Sequence, residues 1–136
     1  MLIALDSNVF IAALAGSEPH SRQAQQLIRD VAAGKHKAIA SSIIYGEVLG
    51  LANREEADIE RFFAAIPHLV TIPADDGICL AAAQLRRRGG GKLKLPDALH
   101  IATALMAGAE VFITNDKSLS RQAQKLVPAK SLAEVQ

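Results

Sequence analysis

The feature that most constrains this chain is a set of four short apolar runs, at residues 1–5, 37–40, 69–72 and 111–114, separated by longer segments with a different period. Each run is too short for a stable helix and is bounded by polar or helical sequence, so each reads as a buried strand. The intervening segments carry apolar residues at helical spacing: Ala24, Leu27, Ile28 and Val31; Ile59, Phe62, Phe63 and Ile66; Ile101, Ala104, Leu105 and Gly108. Buried strands alternating with amphipathic helices predict an α/β fold, a central, mostly parallel sheet of about four to five strands with helices on both faces. Gly34, Gly89 to Gly91 and Gly108 stand where helices should stop, and Pro96 suits a first helical turn. No linker divides the chain, so residues 1–136 are expected to form one domain.

Half of the 136 residues are apolar, enough for a sizeable core. Lys and Arg total 15 against 14 acidic residues, so no whole-protein field attracts a polyanion, which would have to be gripped locally. The single cysteine, Cys79, has no partner for a disulfide or a cysteine-based zinc site, which fits a reducing cytoplasm. Residues 1–5 lack a basic n-region and Asp6 interrupts the run, so no signal peptide is expected. The weakly polar stretch 101–109 is far shorter than a membrane span, and no membrane association is expected. Four Phe and one Tyr are too few to hold single-stranded RNA chiefly by stacking.

Open parallel sheets bind ligands beyond the carboxyl ends of their strands. Asp6 follows the first strand and Asp116 the fourth; each could equally be a helix N-cap. Asp97, next to Pro96 at the start of a helix, has a similar structural excuse. Glu47 is harder to dismiss. It lies in a helical run with Ile43, Ile44 and Leu51 at same-face spacings and no Lys or Arg within a turn, so either a bound cation supplies the missing partner or Glu47 lies at the helix edge and reaches water. Carboxylates ~4 Å apart repel by about 4 kcal/mol at an effective dielectric near 20. Oxygen ligands without clustered Cys or His select Mg²⁺ or Mn²⁺, whose chemistry on phosphodiesters is to generate a nucleophilic hydroxide and neutralise developing charge.

With these residues in register, the motifs Leu5-Asp6-Ser7-Asn8, central Glu47, Leu95-Pro96-Asp97-Ala98-Leu99-His100 and Thr114-Asn115-Asp116 together resemble PIN-domain nucleases, particularly VapC-type toxins, over essentially the whole chain. The resemblance implies that Asp6, Glu47, Asp97 and Asp116 bind Mg²⁺ or Mn²⁺ and activate water. It also implies that Ser7 and Thr114 brace the acidic loops, with Asn8 and Asn115 assisting. It further implies an endoribonuclease acting on RNA such as transfer or ribosomal RNA, a VapB-type antitoxin partner and a homodimer. A free-standing RNA-processing nuclease and a non-catalytic RNA-binding scaffold are the alternatives within the family.

One feature beside the proposed site is visible without that resemblance. Arg86, Arg87, Arg88, Lys92 and Lys94 carry five positive charges with no acid and lead directly into Asp97. They read as a flexible phosphate-binding arm, or as a solvated helix end favoured by the helix dipole. His100 reads as a packed, hydrogen-bonded core histidine outside the site. Asp75 and Asp76 read as N-capping residues, and Cys79, Phe62 and Phe63 as core or a partner-facing surface. A phosphoaspartyl enzyme fits poorly, since Asn8 stands where its second Asp belongs and Glu47 would be unexplained. A dinucleotide site fails because Gly89 to Gly91 follows a helix.

Overall fold

A computed structural model describes residues 1–17, 19–51 and 54–135, apart from the side chain of Leu51. The apolar runs form strands β1 (Leu2–Leu5), β2 (Lys37–Ser41), β3 (Leu69–Ile72) and β4 (Val111–Ile113), joined by a fifth, β5 (Ala129–Lys130). All pairings are parallel and the order is β3-β2-β1-β4-β5. The helices are α1 (Ser7–Ala15), α2 (Ser21–Ala32), α3 (Ile44–Leu51), α4 (Glu56–Ala64), α5 (Asp76–Arg88), α6 (Leu95–Met106), α7 (Lys117–Gln124) and α8 (Leu132–Val135). The expected α/β architecture is therefore present as an all-parallel five-stranded sheet.

Alternation along the central strands supplies both layers. Ile3 and Leu5 of β1, Ala38 and Ala40 of β2, and Val111 and Ile113 of β4 point into a core shared with α1, α2, α3, α4 and α8. Ala4, Ile39 and Phe112 point the other way, toward α5, α6 and α7. Burying an Ile or Leu fully stabilises by about 1.5–3 kcal/mol, so the period-two alternation of these strands fixes their register against both layers. The third apolar run departs from expectation: β3 is an edge strand, with Val70 59% exposed. With two residues, β5 has no period to reveal it, and pairing Ala129 with Phe112 and Lys130 with Ile113 is what makes it a strand.

The strand order also locates a crevice. From β1 the chain steps outward through β2 to β3, then returns to the opposite side of β1 as β4. Strand order thus reverses between β1 and β4, and ligands in open parallel sheets bind beyond the carboxyl ends at such a reversal.

Candidate active site

Asp6 and Thr114 meet at that reversal. Asp6 leaves β1 as the N-cap of α1, its Oδ1 accepting from Ser7 N at 2.8 Å, with Ser7 Oγ 3.5 Å from the same oxygen. Its other oxygen, Oδ2, accepts from Thr114 Oγ1 at 2.8 Å, just past the end of β4. Thr114 Oγ1 in turn accepts from Asn8 Nδ2 at 3.2 Å and from the backbone N–H of Asp116 at 3.1 Å. One hydroxyl, itself 1% exposed, uses its donor and both lone pairs to tie together the loops that carry two of the acids. Asp116 is exposed and caps α7 through Leu119 N at 3.0 Å. Asn115 turns away: its Oδ1 accepts from Leu132 N at 3.0 Å and anchors the C-terminal helix.

Glu47 projects from the first turn of α3, and its partner is His100 of α6, whose Nε2 stands 2.7 Å from Glu47 Oε1 and 3.7 Å from Asp6 Oδ1. A carboxylate only accepts, so Nε2 carries the proton and donates to Glu47. The sequence reading that left Glu47 without a partner is thereby corrected, and His100 joins the site it was expected to lie outside. It is buried, at 2% exposure, and it is hydrogen-bonded, but to an acid of the site. Its Nδ1 is buried without a partner among the described residues. The signal for it was spacing. His100 falls one turn after Asp97 on α6, the one imidazole in the otherwise apolar run Ala98, Leu99, Ile101, Ala102.

Asp97 sits half-buried in the first turn of α6, behind Pro96. Burial raises its carboxyl above the ordinary range, and the charges of Asp6, Asp116 and Glu47 raise it further, against an opposing pull from His100. Asp6 is raised chiefly by burial and to a lesser degree by Glu47, while His100, Thr114 and Ser7 pull it down. Asp97 therefore feels the charge of each of the other three expected acids, and Asp6 that of Glu47. Among the described residues no three His, Cys, Asp or Glu side chains stand close enough to form a ready-made metal cage. Mg²⁺ is usually held by only one or two carboxylates together with water and phosphate oxygens, and an oxygen-donor crevice with unneutralised like charges suits such a hard ion.

A prediction follows from Asp97. Its folded-state pKa is raised, so native protein binds that proton more readily than unfolded chain does. The resulting stability is complete below the ordinary carboxylate range and is lost as pH rises through the folded value. In metal-free buffer near pH 7, Asp97→Asn should raise Tm by a few °C, partly offset by the lost attraction of the α6 N-terminus, with the gain vanishing below about pH 4. Thermal melts at the two pH values check this, and a lower Tm for the variant at pH 7 would refute the repulsion.

The basic segment is more ordered than an arm. Arg86, Arg87 and Arg88 form the last turn of α5, and Arg86 Nε donates to Leu93 O at 3.0 Å. Gly90 and Gly91 take positive φ of 67° and 79°, which non-glycine residues rarely adopt, and Gly91 N closes the turn on Arg86 O. Lys92 is exposed, and Lys94 occupies the N-cap position of α6. Among the simpler readings, Asp75 does cap α5, accepting from Ile78 N at 3.0 Å, and Phe63 is core. Cys79 is exposed, so it is not a core residue.

Comparison with known proteins agrees with this fold. The sequence profile of the family described as "PIN domain" matches residues 3–125. No protein of curated function matches the chain. Among solved structures, VapBC2 from Rickettsia felis bound to promoter DNA is similar with a TM-score of 0.71 at 17% identity, covering 96% of this chain and 98% of that one. A toxin–antitoxin complex from Klebsiella pneumoniae is similar with a TM-score of 0.69 at 24% identity, covering 96% and 97%. VapC20 from Mycobacterium tuberculosis, a toxin that cleaves the sarcin-ricin loop, gives a TM-score of 0.71 at 17% identity, covering 88% and 93%. At these identities the likeness is one of fold.

Proposed function

The chain belongs to the PIN-domain family, and on that footing we propose that it is a Mg²⁺- or Mn²⁺-dependent endoribonuclease whose centre comprises Asp6, Glu47, Asp97 and Asp116. The observation that carries this is electrostatic: burial raises the Asp97 carboxyl on α6, and the charges of Asp6 at the end of β1, Asp116 at the start of α7 and Glu47 on α3 raise it further, an arrangement costly to keep without a cationic ligand. When bound, the cation would lower the pKa of a coordinated water and offset charge on the phosphodiester.

The chain's own groups do the positioning. Thr114 and Ser7 N fix both oxygens of Asp6, so that carboxylate presents one orientation to a ligand. His100 holds Glu47 through Oε1. Asn8 and the backbone of Asp116 keep the Thr114 hydroxyl from rotating. The fold relatives that are toxin–antitoxin complexes support a toxin role with a VapB-type antitoxin partner, and the proposal extends to a homodimer in the cytoplasm. Among the described residues no helix is long and apolar enough to cross a membrane.

The test is direct. Purified protein incubated with transfer RNA or ribosomal RNA fragments should cut internally in Mg²⁺ or Mn²⁺, leaving 5′-phosphate and 3′-hydroxyl ends, and excess EDTA should stop it. Cutting that survives EDTA, or no cutting with either ion across several RNAs, would overturn the proposal. Co-purification with the product of an adjoining small reading frame would test the toxin role.

A further inference from the structure

A second charged feature lies away from the acids, on the α5–α6–α7 face of the sheet. The end of α5, the glycine loop and α7 enclose a groove of about 660 Å³ that contains Arg88, Lys92, Arg121 and Lys125 and no acidic residue. Leu93 and Leu126 contribute apolar wall. On α7 and its C-cap residue, Ser118, Arg121, Gln122 and Lys125 recur at the spacing of one helix face, so Arg121 and Lys125 stand one turn, about 6 Å, apart. None of the four cations takes part in an ion pair among the described residues. Four unpaired positive charges in one groove are notable in a chain whose net charge is only +1.

Along the chain the groove's lining also adjoins the site: Ser118 is next but one to Asp116, and Lys92 and Leu93 precede Lys94 and Asp97. A phosphodiester chain approaching four carboxylates is repelled by them, so its binding energy must come from cations beside the crevice. The basic segment divides accordingly. Arg88 and Lys92 face this groove, whereas Arg86 and Arg87 line a separate shallow depression with Gly90 and Gly91, Arg86 also donating to the Leu93 carbonyl.

We infer that the groove between the end of α5 and α7 is a track for the phosphate backbone of RNA, gripped by Arg88, Lys92, Arg121 and Lys125, with α7 supplying half of the contacts. This rests on the nuclease proposal for its direction toward the acids but not for its existence. The apolar wall of Leu93 and Leu126 suits sugar faces and offers no aromatic platform, so binding should be electrostatic and tolerant of sequence.

The test uses a fluorescein-labelled single-stranded RNA of mixed sequence, about 20 nucleotides long, in EDTA, with anisotropy read across a salt series. Neutralising two phosphate contacts on a single strand should flatten the log K against log salt slope by about 1.4. Arg121→Ala/Lys125→Ala should show that change. The same sequence phrase, Ser-Arg-Gln-Ala-Gln, recurs in α2 on the opposite face of the sheet, so Arg22→Ala/Arg29→Ala removes two charges elsewhere and should leave the slope unchanged. An unaltered slope in the α7 variant, or an equal loss in the α2 variant, would overturn the inference. So would a loss of polyglutamate binding with RNA binding intact, which would make the groove a site for an acidic peptide. Binding is read without metal. A flattened slope in a protein that never cuts RNA would uphold the groove and sink the nuclease proposal, and cutting with an unaltered slope would do the reverse.

Discussion

Asp6→Asn is expected to lower RNA cleavage at saturating Mg²⁺ by at least about 10³-fold, the several kcal/mol that a bound cation contributes to the transition state at 1.36 kcal/mol per decade. The variant should remain folded. Asn keeps an oxygen to accept from Ser7 N, while its amide meets a Thr114 hydroxyl whose two lone pairs Asn8 and the Asp116 N–H already fill, so one of these bonds must rearrange. The rearranged bond costs about 1 kcal/mol, and removing a buried charge whose pKa is raised by desolvation works in the opposite direction. Calorimetric titration with Mn²⁺ should show weakened uptake alongside the lost cleavage. Cleavage at the parent's rate by the purified variant would remove Asp6 from the chemistry, whatever the fold comparison suggests.

His100→Ala should have the largest effect on stability, lowering the unfolding free energy by about 2–4 kcal/mol and Tm by on the order of 10 °C. The imidazole fills a position 2% exposed between α6, α3 and the end of β1. Its removal leaves a cavity, strips Glu47 of its hydrogen bond and takes away the group that most strongly counters the burial of Asp6. His100→Gln, which can place an amide nitrogen near the position of Nε2, should recover most of the loss. A double-mutant cycle with Glu47→Gln isolates the pair: the two substitutions should be non-additive, with a coupling of about 1 kcal/mol or more. Urea unfolding with unchanged m-values would make the measurement, and a His100→Ala variant within 0.5 kcal/mol of the parent would show that the contact carries no weight.

The difference between Asp6 and His100 shows what a linear reading can reach. The places of Asp6 and Asp116 were legible because a carboxylate directly after a parallel strand is placed by topology alone, and both turned out to be N-caps. Thr114 was legible as a brace, although its simultaneous bonds to Asp6, Asn8 and Asp116 were not. Glu47 was singled out because no cation lay within a turn of it, yet its partner came from α6, 53 residues away. The basic segment was legible as charge but not as geometry: Arg86 and Arg87 line one hollow while Arg88 and Lys92 line another, a division that depends on where α7 packs.

By itself the sequence determined the strands, the layered parallel sheet and the acids most exposed to suspicion, because these depend on local periodicity and on which residue follows a strand. The tertiary structure alone decided that β3 is an edge, that a two-residue β5 completes the sheet, that His100 serves Glu47, and that Arg88 and Lys92 share a groove with Arg121 and Lys125. Those outcomes depend on contacts between segments far apart in the chain, and such contacts follow from how the helices seat on the sheet, for which no local pattern of residues carries a code.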